Sequence, residues 1–309
     1  MKQRPLRILS LILCFSLILP LISFPPAKAA SYGNLKYKIV NGEVTITGSN
    51  EAAVTEVVIP DTIDGCPVTA IGDQAFYLCD SLTSVSIPDS VTSIGYFAFG
   101  ECRVLSSVNI PEGVTSIGSS AFSYCRSLAS VTIPSSVSST GNYAFSSCTN
   151  LRNVTIRDGV TEIGNGSFFG CDSLKSVTIP DSVTSIGDAA FSSCTDLQEI
   201  HFEGNAPTFG TDAFSEVTAE AYYPADNDTW TDSVKQSYGG SITWVATETA
   251  LPGDLNGNGT VNIADVALLY CHVRGTDTLS EDSLSLADLN GDGKITIIDV
   301  AILYIQIRA

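Results

Sequence analysis

Two twelve-residue stretches near the C-terminus, "DLNGNGTVNIAD" (254–265) and "DLNGDGKITIID" (288–299), concentrate oxygen donors at alternating positions. Positions 1, 3, 5, 9 and 12 carry Asp254, Asn256, Asn258, Asn262 and Asp265 in the first loop, and Asp288, Asn290, Asp292, Thr296 and Asp299 in the second. Gly259 and Gly293 stand at position 6, where the chain must turn sharply, and Thr260 and Lys294 stand at position 7, which offers a backbone carbonyl. Hard oxygen ligands on this schedule suit Ca²⁺. Two such loops predict two ions. Both end in Asp, where the helix-loop-helix calcium pattern has Glu. The first loop offers two carboxylates and the second three, so the second is expected to hold its ion more tightly.

Catalytic constellations are missing from the rest of the chain. His201 and His272 are the only histidines, one in each half of the architecture described below, so no Ser-His-Asp or Cys-His pair is evident. Neither G-x-S-x-G, H-E-x-x-H nor a phosphate-cradling glycine loop occurs. A carboxylate pair could hydrolyse glycosides in principle, but no residue is assigned a catalytic role, and the chain is read as a non-enzyme. A formal net charge of −18 repels nucleic acid and anionic membranes.

Each oxygen loop runs into an apolar helical pattern, "VALLYCHV" (266–273) and "VAILYIQI" (300–307), and no helix is expected ahead of either loop. A module this small buries little, so ion binding should supply folding energy. Residues 253–309 resemble a type I dockerin, a small all-α calcium-binding module. The resemblance implies docking onto a cohesin module of a scaffoldin in a cellulosome-type complex. Carried over by position, the partner-recognition pairs fall on Ile263-Ala264 and Ile297-Ile298, with further contacts at Tyr270-Cys271 and Tyr304-Ile305. Many family members have hydroxyl residues at the paired positions, where this chain is apolar.

The elements that present this module come from a repeat, which is the first thing to seek in a sequence. Rows of 23 residues align without gaps: "LTSVSIPDSVTSIGYFAFGECRV" (82–104), "LSSVNIPEGVTSIGSSAFSYCRS" (105–127) and four more to residue 219. L-x-x-V-x-I is a short strand with alternate residues inward, ended by Pro. V-x-x-I-G-x-x-A-F-x-x-C has the spacing of a helical or 3₁₀ turn. No row can bury its own apolar residues; stacked rows can, as a solenoid. The pattern resembles the BspA-type leucine-rich repeats of secreted bacterial proteins, which implies a right-handed stack of short strands and helical turns, an α/β solenoid. By that resemblance residues 31–56 form an N-terminal hairpin cap turning at Asn41-Gly42, 57–219 the repeats, and 220–246 a C-terminal cap, with 247–252 as linker.

Several columns of the stack invite chemistry. Cys79, Cys102, Cys125, Cys148, Cys171 and Cys194 align, but parallel side chains are poorly placed for bridges, and buried thiols are expected. Ser84, Ser107, Ser130, Asn153, Ser176 and Glu199, with Ser86, Asn109, Thr132, Thr155, Thr178 and His201, should line the open strand face. An acid column (Asp89, Glu112, Asp158, Asp181), broken by Ser135, reads as a solvated edge. Tyr222, Tyr223, Trp230, Tyr238 and Trp244 read as the cap over the last coil.

The opening "MKQRPLRILSLILCFSLILPLISFPPAKAAS" has basic residues, an apolar run and a small-x-small site, the layout of a secretory leader over residues 1–30. The expected protein is extracellular, held at a cell-surface complex by two calcium ions and a cohesin, with the repeats binding an unknown protein or glycan. A scaffold-presented regulator such as a protease inhibitor, or a cryptic polysaccharide-active enzyme, are the alternatives. Neither nucleic acid nor membrane insertion after cleavage is expected.

Overall fold

The computed structural model describes residues 29–50, 53–247, 252–256 and 261–308. The expected leader (to residue 28), most of the linker, Asn258, Gly259 and Thr260 lie outside the described residues. Two separate hydrophobic clusters organise the rest, one running through the repeats and one within the C-terminal module.

The repeats form a β-solenoid. In several coils the first short strand pairs in parallel with its counterpart one repeat on: Ser84 opposite Ser107, Ser130 opposite Asn153, Ser176 opposite Glu199. A second parallel ladder follows the Pro turn, with Ile71 beside Ile94, Ile94 beside Ile117, and Ile163 beside Ile186. Because each coil repeats the same side-chain directions, identical residues stack. Phe76, Phe99, Phe122, Phe145, Phe168, Phe191 and Phe214 are wholly buried. Their rings stack nearly parallel at centroid spacings of 5.2 to 5.8 Å. Offset stacking of this kind adds about 0.5–1.5 kcal/mol per pair beyond burial.

The expected helical turns are not helices. Each coil closes through two left-handed residues four apart, and most are not glycine: Gln74 and Leu78, Phe97 and Glu101, Ser120 and Tyr124, Tyr143 and Ser147. Left-handed backbone costs an L-residue about 1–2 kcal/mol. What offsets it here is a third hydrogen-bond ladder, in which turn amides donate to the next coil: Gln74 N–H to Tyr96 O (2.8 Å), Phe76 N–H to Ala98 O (2.7 Å) and Leu78 N–H to Gly100 O (3.0 Å). The repeated glycine does a different job. A Cβ at Gly118 would sit 2.6 Å from the Gly95 carbonyl carbon and 2.7 Å from Tyr96 N, so adjacent coils meet through bare backbone there.

Two departures from the repeat compensate each other. Thr140 replaces the inward Ile and Ser167 the inward Ala, both buried. Their hydroxyls bond each other at 2.8 Å, Thr140 Oγ1 also accepts from Gly164 N–H, and Ser167 Oγ reaches Gly141 O. A polar group buried alone would be costly.

Both ends are closed. Strands Leu35–Val40 and Glu43–Ser49 form the expected antiparallel hairpin, with Asn41 (φ 54°) and Gly42 (φ 82°) both left-handed at its turn. At the other end, Thr218–Pro224 and Ser241–Thr247 add two parallel strands. Tyr223, Trp230, Tyr238 and Trp244 pack with Phe202 and Phe209 over the last coil. Tyr222 is not in that cap. It stands on the strand face against His201, with ring centroids 4.7 Å apart and planes within 7°.

Candidate metal and partner-docking site

The C-terminal module contains α1 (Ile263–Val273), α2 (Glu281–Ala287) and α3 (Ile297–Gln306). Its core is small: Leu255, Val266, Leu269, Ala287, Val300 and Leu303. The expectation that no helix precedes either loop is corrected by α2, which leads directly into the second loop at Asp288. Ser280 caps it, its hydroxyl accepting from Ser283 N–H, a signal that the weak apolar pattern "EDSLSLA" had hidden.

The second loop is described throughout, and its donors converge. Asp288 accepts from Asp292 N–H (3.2 Å) and Gly293 N–H (2.8 Å). Asn290 Oδ1 accepts from the same Asp292 N–H (2.9 Å), which places the position-1 and position-3 oxygens around one amide. Asp292 Oδ1 accepts from Lys294 N–H at 2.9 Å, and Gly293 turns with φ 77°. Among the described residues no three His, Cys, Asp or Glu side chains form a ready metal cage. The sites expected here draw on Asn, Thr and backbone oxygens as well as carboxylates, and an all-oxygen donor set of this kind fits Ca²⁺.

Position 12 has a second role that the loop pattern alone did not reveal. Asp265 and Asp299 are wholly buried. Asp299 Oδ1 accepts from Leu289 N–H (3.0 Å) and Oδ2 from Thr296 N–H (2.8 Å). Asp265 repeats this with Leu255 N–H (2.9 Å), Asn256 N–H (3.2 Å) and Asn262 N–H (2.9 Å). Asn262 and Thr296, at position 9, are the N-caps of α1 and α3, so positions 9 and 12 make a capping box in each loop. The legible signal was N-x-x-D and T-x-x-D before an apolar run. Burial disfavours the Asp299 anion, yet the Thr296 and Leu289 amides outweigh it and hold the carboxyl below its usual range.

The residues carried over as partner contacts are mostly exposed. Ile263 is 61% exposed, Ile297 56%, Ile298 53% and Ile305 68%. Ala264, Tyr270 and Tyr304 are also exposed, and Cys271 is half-buried. The two halves match in detail. The Arg274 guanidinium lies 5.7 Å from the Tyr270 ring centre, and that of Arg308 5.4 Å from the Tyr304 ring. Exposed isoleucines beside paired Tyr-Arg groups make two similar apolar patches.

On the solenoid the open strand face is as expected through most of its length, with Ser107, Asn109, Ser130, Asn153 and Ser176 exposed. The cysteine column is unbridged, and Cys102, Cys125, Cys148, Cys171 and Cys194 are buried. Each thiol donates to the Phe carbonyl of the preceding coil, as Cys102 does to Phe76 O at 3.1 Å. Burial pushes Cys102 and Cys148 up to about 12. Along the edge, Glu112 spans the gap at Ser135, accepting from its amide and hydroxyl and pairing with Arg157 at 3.0 Å.

Comparison with known proteins matches this geometry. Six copies of the BspA type leucine-rich repeat region match residues 69–195 and 116–227. The chain belongs to the BspA-type leucine-rich repeat family. A type I dockerin domain matches residues 252–307. A leucine-rich repeat protein from T. pallidum is 33% identical over 71% of this chain and 100% of its own, with a TM-score of 0.57. A leucine-rich cell surface protein from Faecalibacterium prausnitzii is 23% identical over 73% of this chain and 84% of its own, with a TM-score of 0.41. No curated protein matches. The solenoid thus carries a dockerin, a module that binds calcium and attaches to cohesins, and both parts belong to families that are typically non-catalytic. Among the described residues no helix is long and apolar enough to cross a membrane.

Proposed function

We propose that this protein is an exported recognition subunit, held in a cellulosome-type complex when its dockerin binds a scaffoldin cohesin, and presenting the repeat face to a protein or glycan. Asp254, Asn256, Asn258, Asn262 and Asp265, with the Thr260 carbonyl, hold one calcium ion. Asp288, Asn290, Asp292, Thr296 and Asp299, with the Lys294 carbonyl, hold the other. The observation that carries the reading is the paired display of exposed apolar residues at the first turns of α1 and α3, next to the two oxygen loops. The near-repetition of the halves supports docking through either helix. Cohesin titration tests it: Ile263→Asp and Ile297→Asp singly should keep affinity, and the double variant should lose it. Loss in one single variant alone excludes the two-way mode, and full binding by the double variant excludes the assigned surface.

A further inference from the structure

The ladders that hold coil to coil are not equally continuous. Among the described residues one junction between repeats, that of 105–127 with 128–150, lacks strand pairing on both sides. On the first side, Ser107–Val108 and Ser130–Ile133 each pair with the strand beyond and not with each other. On the second, Thr115 and Gly118 donate to Thr92 O (2.9 Å) and Ile94 O (2.8 Å). Their counterparts one coil on, Ser138 and Gly141, make no such backbone bond among the described residues. Thr140 turns its amide and hydroxyl forwards, to Glu162 O, Ser167 Oγ and Gly164 N–H, away from the coil before it. Pairing on the first side lapses once more, between Asn153–Ile156 and Ser176–Ile179, but there Ile163 and Ile186 keep the second ladder. The turn side holds throughout. Ser120, Phe122 and Tyr124 N–H donate to Asn142, Ala144 and Ser146 O, each at 2.8 Å, and the Phe122 and Phe145 rings stack at 5.3 Å.

One side chain bridges the lapse at the Pro turn, the corner that joins the two strand sides and lies across the coil from the turn ladder. Glu112 Oε2 accepts from Ser135 N–H (3.1 Å) and Oγ (3.0 Å), and Oε1 pairs with Arg157 at 3.0 Å, so a single carboxylate ties three successive coils. Arg157 stands where other coils have Pro88, Pro111, Pro134 and Pro180. Beside it a groove of about 540 Å³, lined by Asn109, Pro111 and Thr132 among others, crosses the junction. Ser136 Oγ adds a bond to Val114 O, and Ala129 N–H still reaches Ser106 O at 3.3 Å. A solenoid holds together through nearest-neighbour interfaces, so it parts first where an interface is thinnest. We infer that this junction is a joint: the coils before and after it swing apart on both strand sides about the turn ladder, and Glu112 latches it shut. Opening changes the curvature of the strand face, whatever that face binds, and leaves the Phe stack in place. The latch is a half-exposed ion pair, so salt weakens it.

The test is residue-resolved amide exchange on the full chain with calcium present, at roughly 0.01 M and roughly 1 M salt. The Ala129 amide reports the joint. Ser106 and Arg152, which make the equivalent bonds at the two neighbouring junctions (3.1 and 3.0 Å), are its internal references. Ser120 and Phe122 report the turn side. At low salt Ala129 should exchange faster than both references. Glu112→Gln, which keeps an acceptor for Ser135, and Arg157→Gln should each speed Ala129 about threefold more, the size of an exposed ion pair, with the references unmoved. High salt should give the wild type the same acceleration and leave the two variants unchanged. Arg103→Gln, which breaks an exposed pair with Glu101 away from the joint, should leave Ala129 as it was. Ser120 and Phe122 should stay protected in every case. The proposal is overturned if Ala129 exchanges no faster than its references, or is moved neither by salt nor by the latch variants. It is equally overturned if Ser120 and Phe122 open together with Ala129, because that is the unfolding of a coil and not movement about a hinge.

Discussion

Asp299 closes the second oxygen loop and caps α3, and removing its carboxylate should uncouple calcium from the order of that helix. Asp299→Ala deletes the acceptor for Leu289 N–H at 3.0 Å and for Thr296 N–H at 2.8 Å. Amide bonds to a charged group contribute about 1.5–3 kcal/mol each, and with Thr296 only half-buried a combined loss of about 3 kcal/mol is a moderate figure. Where ion binding is folding energy, that loss raises the calcium concentration for half-ordering by about a hundredfold. Any direct ligand role adds to the shift, so this is a lower bound. Thr296→Ala removes the cap to Ile298 N–H, the hydroxyl's bond to Asp299 Oδ2 at 3.3 Å and the position-9 oxygen, and for a cap of about 1 kcal/mol should shift the same midpoint at least about fivefold. Amide exchange across Ile297–Gln306, followed as the full chain is titrated with calcium, reads both variants. A shift below about threefold for Asp299→Ala, or one no larger than that of Thr296→Ala, refutes the reasoning.

Three further outcomes follow from the solenoid. Cys102 and Cys148 are raised from 9.0 to about 12, so protons leave the unfolded thiols first as pH rises, and stability should fall from about pH 9 towards pH 12. At a pH midway each thiol subtracts about 2 kcal/mol, which urea midpoints at rising pH will show and a Cys102→Ala, Cys148→Ala variant should blunt. Ala189 is left-handed (φ 51°), so Ala189→Gly should leave stability unchanged or raise it by up to about 1 kcal/mol, against the usual penalty for that change, as read by urea midpoint. Gly118→Ala should cost at least about 3 kcal/mol in the same assay, because the added carbon meets rigid backbone of the coil before it.

Much of the solenoid was legible because one row of residues meets the same environment in every coil. A column that is always Phe or always Leu can only be a ladder, and the 23-residue pitch states which residues touch. The left-handed turns were not legible for the converse reason. The column that begins at Gln74 holds Phe97, Ser120, Tyr143, Gly166, Ala189 and Asp212, so residue type carries no signal of the conformation, and only Gly166 hints at it. The turn is imposed by amide bonds between coils, which no single row contains. Tyr222 departs from the cap expected of an aromatic cluster in sequence because strand alternation sends Tyr222 outward and Tyr223 inward. The α2 helix escaped because a seven-residue element has too little periodicity to register.

The terminal Asp of each oxygen loop, a departure from the Glu of the helix-loop-helix pattern, has a physical reason in the fold. As the third residue of the helix that follows, it must turn back to the N-cap amide while its other oxygen reaches the amide at loop position 2, and Asp299 does both. The side chain that closes the loop is therefore the one that starts the helix. Ile297 and Ile298 are the first two residues of that helix, between the cap Thr296 and Asp299, and they are exposed. A charge change at the loop cannot then be confined to the loop. If the loop holds calcium as proposed, loading the ion would fix the backbone from which the two isoleucines project, and releasing it would free first the turn that carries them, because a helix terminus without its cap frays before its interior does. On the proposed reading, calcium control of docking would need no longer path than this one turn, and α1 repeats the same construction, with Asn262 and Asp265 around Ile263 and Ala264.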